Sequence, residues 1–195
     1  MNRPLDPALA TRNRNRLTLV AIALLFFGAL AVAGFLRFSG WRPAGLKAHG
    51  ELLQPPTDLR RVTPTLADGT QYAWHPATRT WRMVAMARDC DAAAAAACAN
   101  VLSQLDTVWQ LMGRDADRVD VLWVGAVPAQ GTRPGTLRNV RASDALRDGL
   151  PRSSDARGPV VVYILDPNGF VVLRYAPGFD PADLRTDLSR LLKVN

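Results

Sequence analysis

The sequence predicts an α/β domain, a central mixed sheet flanked by helices, following a single N-terminal apolar helix. Three observations predict it. Leu17 to Leu36 is an uncharged apolar run of 20 residues. Two short, largely apolar runs, Thr80 to Ala87 and Val119 to Val127, bracket a segment with helical periodicity. Two further runs, Val160 to Leu165 and Phe170 to Tyr175, flank a turn sequence and precede a last amphipathic segment.

The apolar run comes first. Twenty helical residues rise about 30 Å, the thickness of a bilayer's hydrocarbon core. In lipid the backbone satisfies itself only as a helix or a closed barrel, so the run is expected to be helical. Arg3, Arg12, Arg14 and Arg16 precede it against the single acid Asp6, and Arg37, Arg42 and Lys47 follow. The bias favours an N-terminus inside. Two readings stay open, a permanent anchor and a cleaved signal, because Ala29-Leu30-Ala31 and Ala31-Val32-Ala33 both resemble cleavage sites. Either sends the rest of the chain out of the cytoplasm. The expected layout is a cytoplasmic tail over 1–16, a transmembrane helix over 17–36, a linker over 37–60 and a folded domain over 61–195. The linker assignment rests on Pro43, Gly45, Gly50 and Pro55-Pro56 without a period.

Within the domain, Val62 to Leu66 and Gln71 to Trp74 read as short strands around the turn pair Asp68-Gly69. Thr80 to Ala87 reads as a strand buried on both faces. Val101, Leu102, Leu105, Val108, Trp109 and Met112 mark one helical face. The alanines Ala92 to Ala97 have the best helix propensity of any residue, so the helix is expected from about Asp91, with Gly113 as its C-terminal stop. Val119 to Val127 is a second buried strand. Pro128 to Val140 is a looser stretch, and Ser143 caps a short helix through Leu146. A hairpin turns at Asp166-Pro167-Asn168-Gly169. Asp180 and Pro181 then start a helix that buries Leu184, Leu188, Leu191 and Leu192. Strand–helix–strand should form a right-handed parallel crossover, and the hairpin adds antiparallel strands to the same sheet. That order is the thioredoxin-like core.

The formal net charge is +7, with four arginines and one acid in residues 1–16. The remainder is spread among mixed charges, and no zinc-finger or phosphate-loop motif is present, so nucleic acid is not an expected partner. The scattered acids form no paired general acid–base signature. His49 and His75 precede both cysteines and read as solvated, so no Ser-His-Asp arrangement can be built. Trp74, Trp81, Trp109 and Trp123 read as core or sheet-edge aromatics.

Cys90 and Cys98 are the only cysteines and form a candidate pair in a compartment that permits disulfides. Cys90 follows a buried strand and precedes a helix N-terminus, where the dipole favours a thiolate. Asp89 and Asp91 oppose that effect, and Arg88 partly offsets them. In a continuous helix, residues eight apart stand about 12 Å apart along the axis. A bridge needs Cα atoms within about 7 Å. Either Cys90 folds back from the loop, or the two stay separate.

These residues resemble the membrane-anchored, thioredoxin-like proteins of the Sco type, which assist copper delivery and thiol chemistry in cytochrome c oxidase assembly. The resemblance is carried by the buried strand ending at Arg88-Asp89-Cys90, the cysteine pair entering the first helix, and Gly158-Pro159 before VVVYILDPNG. It implies Cys90 and Cys98 as redox or metal-ligating residues, copper as a possible ligand, and Pro159 as the cis-proline of thioredoxin-like sites. It also implies a place in the inner (cytoplasmic) membrane with the domain in the periplasm, near an oxidase subunit or a metallochaperone. Two departures stand out. The family spacing is Cys-x-x-x-Cys, whereas CDAAAAAAC holds four more residues, about one helical turn. The family's late copper-binding histidine has no counterpart after Cys98. Met83, Met86 and Met112 offer soft thioethers, and the strand positions of Met83 and Met86 read first as core. Three functions follow: an oxidase assembly factor acting by docking or by thiol or copper handling, a thiol–disulfide oxidoreductase, and a degenerate interaction domain without chemistry.

Overall fold

The computed structural model describes residues 7–39, 48–74, 78–91, 93–155 and 157–194. The chain divides into two units, Met1–Lys47 and Ala48–Asn195. His75, residues 40–47 of the expected linker and Ala92 lie outside the described residues.

The first unit holds helix α1, Pro7–Phe38. Its stretch Asn15–Phe38 is long and apolar enough to cross a membrane. Leu24, Leu25, Phe26 and Phe27 are exposed along it, a surface suited to lipid and costly in water.

The second unit is a thioredoxin-like domain. In chain order it contains β1 (Glu51–Asp58), β2 (Trp81–Ala87), α2 (Ala95–Gln110), a 3₁₀ helix (Gly113–Arg118), β3 (Val119–Val124), β4 (Leu137–Val140), α3 (Asp144–Gly149), β5 (Val160–Leu165), β6 (Phe170–Tyr175) and α4 (Pro181–Val194). One sheet runs in the order β1-β6-β5-β2-β3-β4. β2, β3 and β4 are parallel neighbours, while β5, β6 and β1 add antiparallel partners. β2 and β5 are buried at every position, which accounts for their near-continuous apolar sequences.

Each face of the sheet has its own core. On one, Met83, Ala85, Val121, Trp123, Val162 and Ile164 pack against Cys98, Leu102 and Leu105 of α2 and Leu184 and Leu188 of α4. On the other, Val84, Met86, Leu122, Val161 and Tyr163 pack against Leu59, Leu146 and Leu150. The strand period of two and the helical period of 3.6 sort these side chains. Ser143 caps α3 by accepting from Leu146 N. Asp180 Oδ1 accepts from Ala182 N at the start of α4. Leu184, Leu188 and Leu192 of α4 are buried, and Leu191 is partly so.

Several expectations are corrected. The linker expected over 37–60 gives way to a strand at Glu51–Asp58, paired antiparallel with β6. Pro55-Pro56 suits an edge, where one side of the strand has no ladder to supply with N–H donors. The strands expected at 62–66 and 71–74 shrink to the isolated bridges Thr65↔Gln71 and Leu66↔Val140. Side chains help to hold this segment: Trp74 Nε1 donates to the carbonyls of Leu59 and Val62. Buried Arg82 donates to Tyr72 Oη, Asp166 O and Pro167 O. The stretch expected to be loose contains β4, an edge strand of only four residues. α2 ends at Gln110, and Gly113, at φ +58°, begins the 3₁₀ helix.

Candidate functional site

β2 ends at Ala87 in the middle of the sheet and delivers Arg88, Asp89 and Cys90 to its C-terminal edge. The ladder continues one step beyond the strand, as Arg88 N donates to Pro159 O at 2.9 Å. On the β3 side the chain comes equally close. A Cβ at Gly125 would stand 3.0 Å from Ala87 O, and Gly125 has φ +108°. Only glycine accepts both conditions without strain.

Cys90 and Cys98 are joined in a disulfide with Cα atoms 5.9 Å apart. The backbone resolves the geometric conflict by starting α2 late, at Ala95 rather than near Asp91. Asp91 acts on the turn before the helix, its Oδ1 accepting from Ala93 N and Ala94 N. That turn lets Cys90 fold back along the first helical turn, so of the two arrangements the spacing leaves open, the folded-back loop is the one present. The two cysteines are unequal. Cys98 is fully buried in the α2 core, whereas Cys90 is half-buried.

Cys90 lines a cleft of about 560 Å³, together with Met86, Arg88, Gly125, Arg147 and the loop residues Ser153 and Ser154. Arg88 Nε pairs with Asp89 Oδ2 at 3.2 Å, and Arg147 Nη1 pairs with Asp144 Oδ1 at 2.9 Å. All four groups are largely exposed, so these pairs shape the rim and contribute little stability. The Gly158–Pro159 peptide is trans; among the described residues the cis peptide bond is Gln54–Pro55. This corrects the cis-proline expected at Pro159. The residue runs directly into β5, its carbonyl in the ladder with Arg88.

The loop 151–158 was not legible as a site element. Tyr163 Oη donates to Pro151 O at 2.8 Å, and Ser153 Oγ donates to Arg147 O at 3.3 Å. Arg174, 3% exposed in β6, donates to Asp155, Glu51 and Arg152 O. Hydrogen bonds from Arg157 and then Arg174 hold the Asp155 carboxyl below the usual carboxylate range. Burial pushes the Tyr163 hydroxyl up to about 12. The available signal was Arg174 itself, a charge inside an otherwise apolar strand whose neighbours Leu173 and Tyr175 face the opposite core.

The soft donors do not converge. Met83 is buried with Cys98 on the α2 face, while Met86 belongs to the other face and lines the Cys90 cleft. Met112 lies in the α2 core, its sulfur accepting from Ser189 Oγ at 3.8 Å. His49 is engaged with Asp187, Nδ1 to Oδ1 at 3.1 Å, and with Asp183 at 3.6 Å. Among the described residues, no group of three or more His, Cys, Asp and Glu stands together as a metal site. With both sulfurs in the bridge, the residues present do not fit the copper centre that the sequence resemblance implies.

Comparison with known proteins bears on the fold. Residues 81–195 match the family model described as a transmembrane-like, thioredoxin-like C-terminal domain. No curated protein matches the sequence. Among solved structures, copper-bound Sco1 of yeast is 13% identical, with 77% of this chain and 96% of that one covered at a TM-score of 0.50. Copper-bound ScoI of Bradyrhizobium japonicum is 17% identical, covering 74% and 99% at 0.44. Peroxiredoxin Q of Xanthomonas campestris is 19% identical, covering 76% and 98% at 0.43. At 13% identity, the likeness to yeast Sco1 is one of fold alone.

Proposed function

Because this chain belongs to the family of transmembrane-like, thioredoxin-like C-terminal domains, we propose that it is a membrane-tethered thiol–disulfide exchange protein acting on partner proteins beside the bilayer. One observation carries the reading: the Cys90–Cys98 bridge sits at the end of the central strand, and half-buried Cys90 lines an open cleft. A disulfide that serves only to brace a core has no need of such access.

The exchange runs as follows. A partner thiolate attacks Cys90 Sγ, the reachable sulfur, forming a mixed disulfide and breaking the Cys90–Cys98 bond. Cys98 leaves as a thiolate and takes up a proton. Its place in the first turn of α2 favours the leaving thiolate through the helix dipole, although burial opposes this. A second partner thiol then attacks the partner's own sulfur in the mixed disulfide and releases Cys90. The domain gains two electrons and two protons, and the partner gains a disulfide. Run in reverse, the dithiol form reduces a partner disulfide.

The charge bias around α1 supports an N-terminus inside and a domain in the periplasm of the inner membrane. The tether raises the effective concentration of the domain near membrane partners. The Sco resemblance makes a respiratory oxidase subunit or a metallochaperone the partner class to test first. The donor set favours thiol handling over metal carriage in that role.

The test is alkylation mass spectrometry on the full chain in native membranes, with and without reductant. Both cysteines should be protected before reduction and alkylated after it. Thiols that alkylate fully under oxidising conditions, or a bridge that no thiol reductant opens, would overturn the proposal.

A further inference from the structure

We infer that Arg174 and Asp155 are positioning residues for the Cys90 site, fixing the loop that forms one wall of its cleft. This rests on the thiol-exchange reading above. Neither residue touches Cys90. They act through Ser153 and Ser154, which line the cleft beside it.

Three observations support the role. First, Arg174 is 3% exposed, and its Nη2 donates to Asp155 Oδ2 at 2.8 Å and to Arg152 O at 3.3 Å. A guanidinium taken out of water is retained at considerable desolvation cost and needs its carboxylate. Of the two carboxylates it faces, Glu51 and Asp155, the nearer lies in the loop. Second, Arg152 has φ +52°, in the left-handed region that a residue with a Cβ adopts only when its surroundings impose it. The surroundings are specific. Its carbonyl accepts from Arg174, and its guanidinium pairs with Glu51, which also pairs with Arg174. The next two residues are Ser153 and Ser154. Third, the loop is fastened on both sides of this point. Tyr163 holds Pro151 O, and Arg157 closes on Asp155 through Nε and Nη2. Ser153 ties the same segment to Arg147 O in α3, so the wall spans from β6 to α3.

Among the ties that fix this wall, the Arg174–Asp155 ion pair is the one that anchors the residue following Ser153-Ser154 to β6. Asp155→Asn keeps the size of the side chain but removes the nearer of the two charges that Arg174 faces. Arg174 is then less firmly held, and with it the carbonyl of Arg152 that accepts from it. Asp155→Glu restores the charge on a longer stem. A partner peptide must lie along the wall to present its sulfur, whereas dithiothreitol reaches Cys90 without spanning the cleft.

The experiment uses the full chain in detergent, oxidised, under single-turnover conditions. The probes are a reduced two-cysteine peptide and, separately, dithiothreitol. For Asp155→Asn, the peptide concentration giving half the limiting rate should rise about tenfold, the size of one lost polar contact with the displaced wall. The limiting rate and the dithiothreitol rate should each stay within about twofold, since the reacting sulfurs are untouched. Asp155→Glu should recover most of the loss. An unchanged half-saturating concentration overturns the inference, as does equal slowing with peptide and with dithiothreitol in a variant that still melts cooperatively. Both outcomes leave thiol exchange standing. A wild-type bridge inert to both probes overturns the exchange reading and this inference with it.

Discussion

Opening the Cys90–Cys98 bridge should lower the stability of the domain by an amount set by its loop. The bridge joins residues eight apart. In the chain-entropy account, closing a loop of about nine residues removes about 2.5 kcal/mol of unfolded-state freedom. For a unit of this size, that corresponds to a drop in Tm of about 5–10 °C. Cys90→Ser is the cleaner perturbation because Cys90 is half-buried and opens on the cleft. Cys98→Ser would add a hydroxyl in an apolar core, costing about 1–3 kcal/mol more. Thermal unfolding of the full chain in detergent, followed by far-ultraviolet circular dichroism, gives the comparison. Oxidised wild type should melt highest. Reduced wild type and Cys90→Ser should coincide below it, and reductant should not move Cys90→Ser. Equal melting of oxidised and reduced wild type, with mass spectrometry showing that the bridge has opened, would refute the account of how it acts on stability.

Other consequences can be checked on the same material. Acid should destabilise the domain because several carboxyls lie below their ordinary values when folded. A hydrogen bond from Arg152 lowers Glu51, and one from Arg60 lowers Asp58 to about 2. For Asp187, burial alone would raise the pKa, but hydrogen bonds from Gly50 N, Tyr175 and His49 outweigh it. Their stabilisation is fully present above the unfolded carboxylate range, about pH 4, and is lost as pH falls through the lowered values; denaturant titrations between pH 7 and pH 2 should show a plateau and then a decline. Asp187→Asn should cost about 2–3 kcal/mol by urea unfolding, because a buried carboxylate accepts from Tyr175 Oη at 2.7 Å and from His49 N at 2.7 Å. Gly125→Ala should cost about 1–3 kcal/mol by the same measurement, from the positive φ and the contact with Ala87 O; a change under a few tenths would count against the close approach of the two strand ends.

The elements that the sequence makes legible are those whose local signals agree with their tertiary setting. β2 and β5 read as strands because burial on both faces demands apolar side chains throughout. The hairpin turn is dictated by Asp166, whose carboxylate accepts from Asn168 N and Phe170 N. α4 carries its start in Asp180-Pro181. What escapes the sequence is set by partners distant in the chain. β1 contains a proline pair and is mostly exposed, so its composition is that of a tether; only its pairing with β6 makes it a strand. β4 is four residues long with two exposed in its middle, and it forms because β3 offers a parallel edge. α2 starts late because a covalent bond overrides the helix propensity of alanine. The site is half legible in the same sense. Cys90 and Cys98 announce themselves by residue type, whereas the loop 151–158 has no motif and is placed by Arg174, Tyr163 and Arg147 from three different elements.

The most direct test of thiol exchange at Cys90 is trapping in native membranes. Cys98→Ala removes the resolving sulfur and leaves a small apolar side chain in the core. The variant should accumulate mixed disulfides through Cys90 with membrane or periplasmic proteins, seen as reductant-sensitive bands on non-reducing gels and identified by mass spectrometry. Cys90→Ser should trap none. If Cys98→Ala forms no mixed disulfide with any partner, or if Cys90→Ser traps the same set, the bridge is a structural brace and the proposed exchange is wrong.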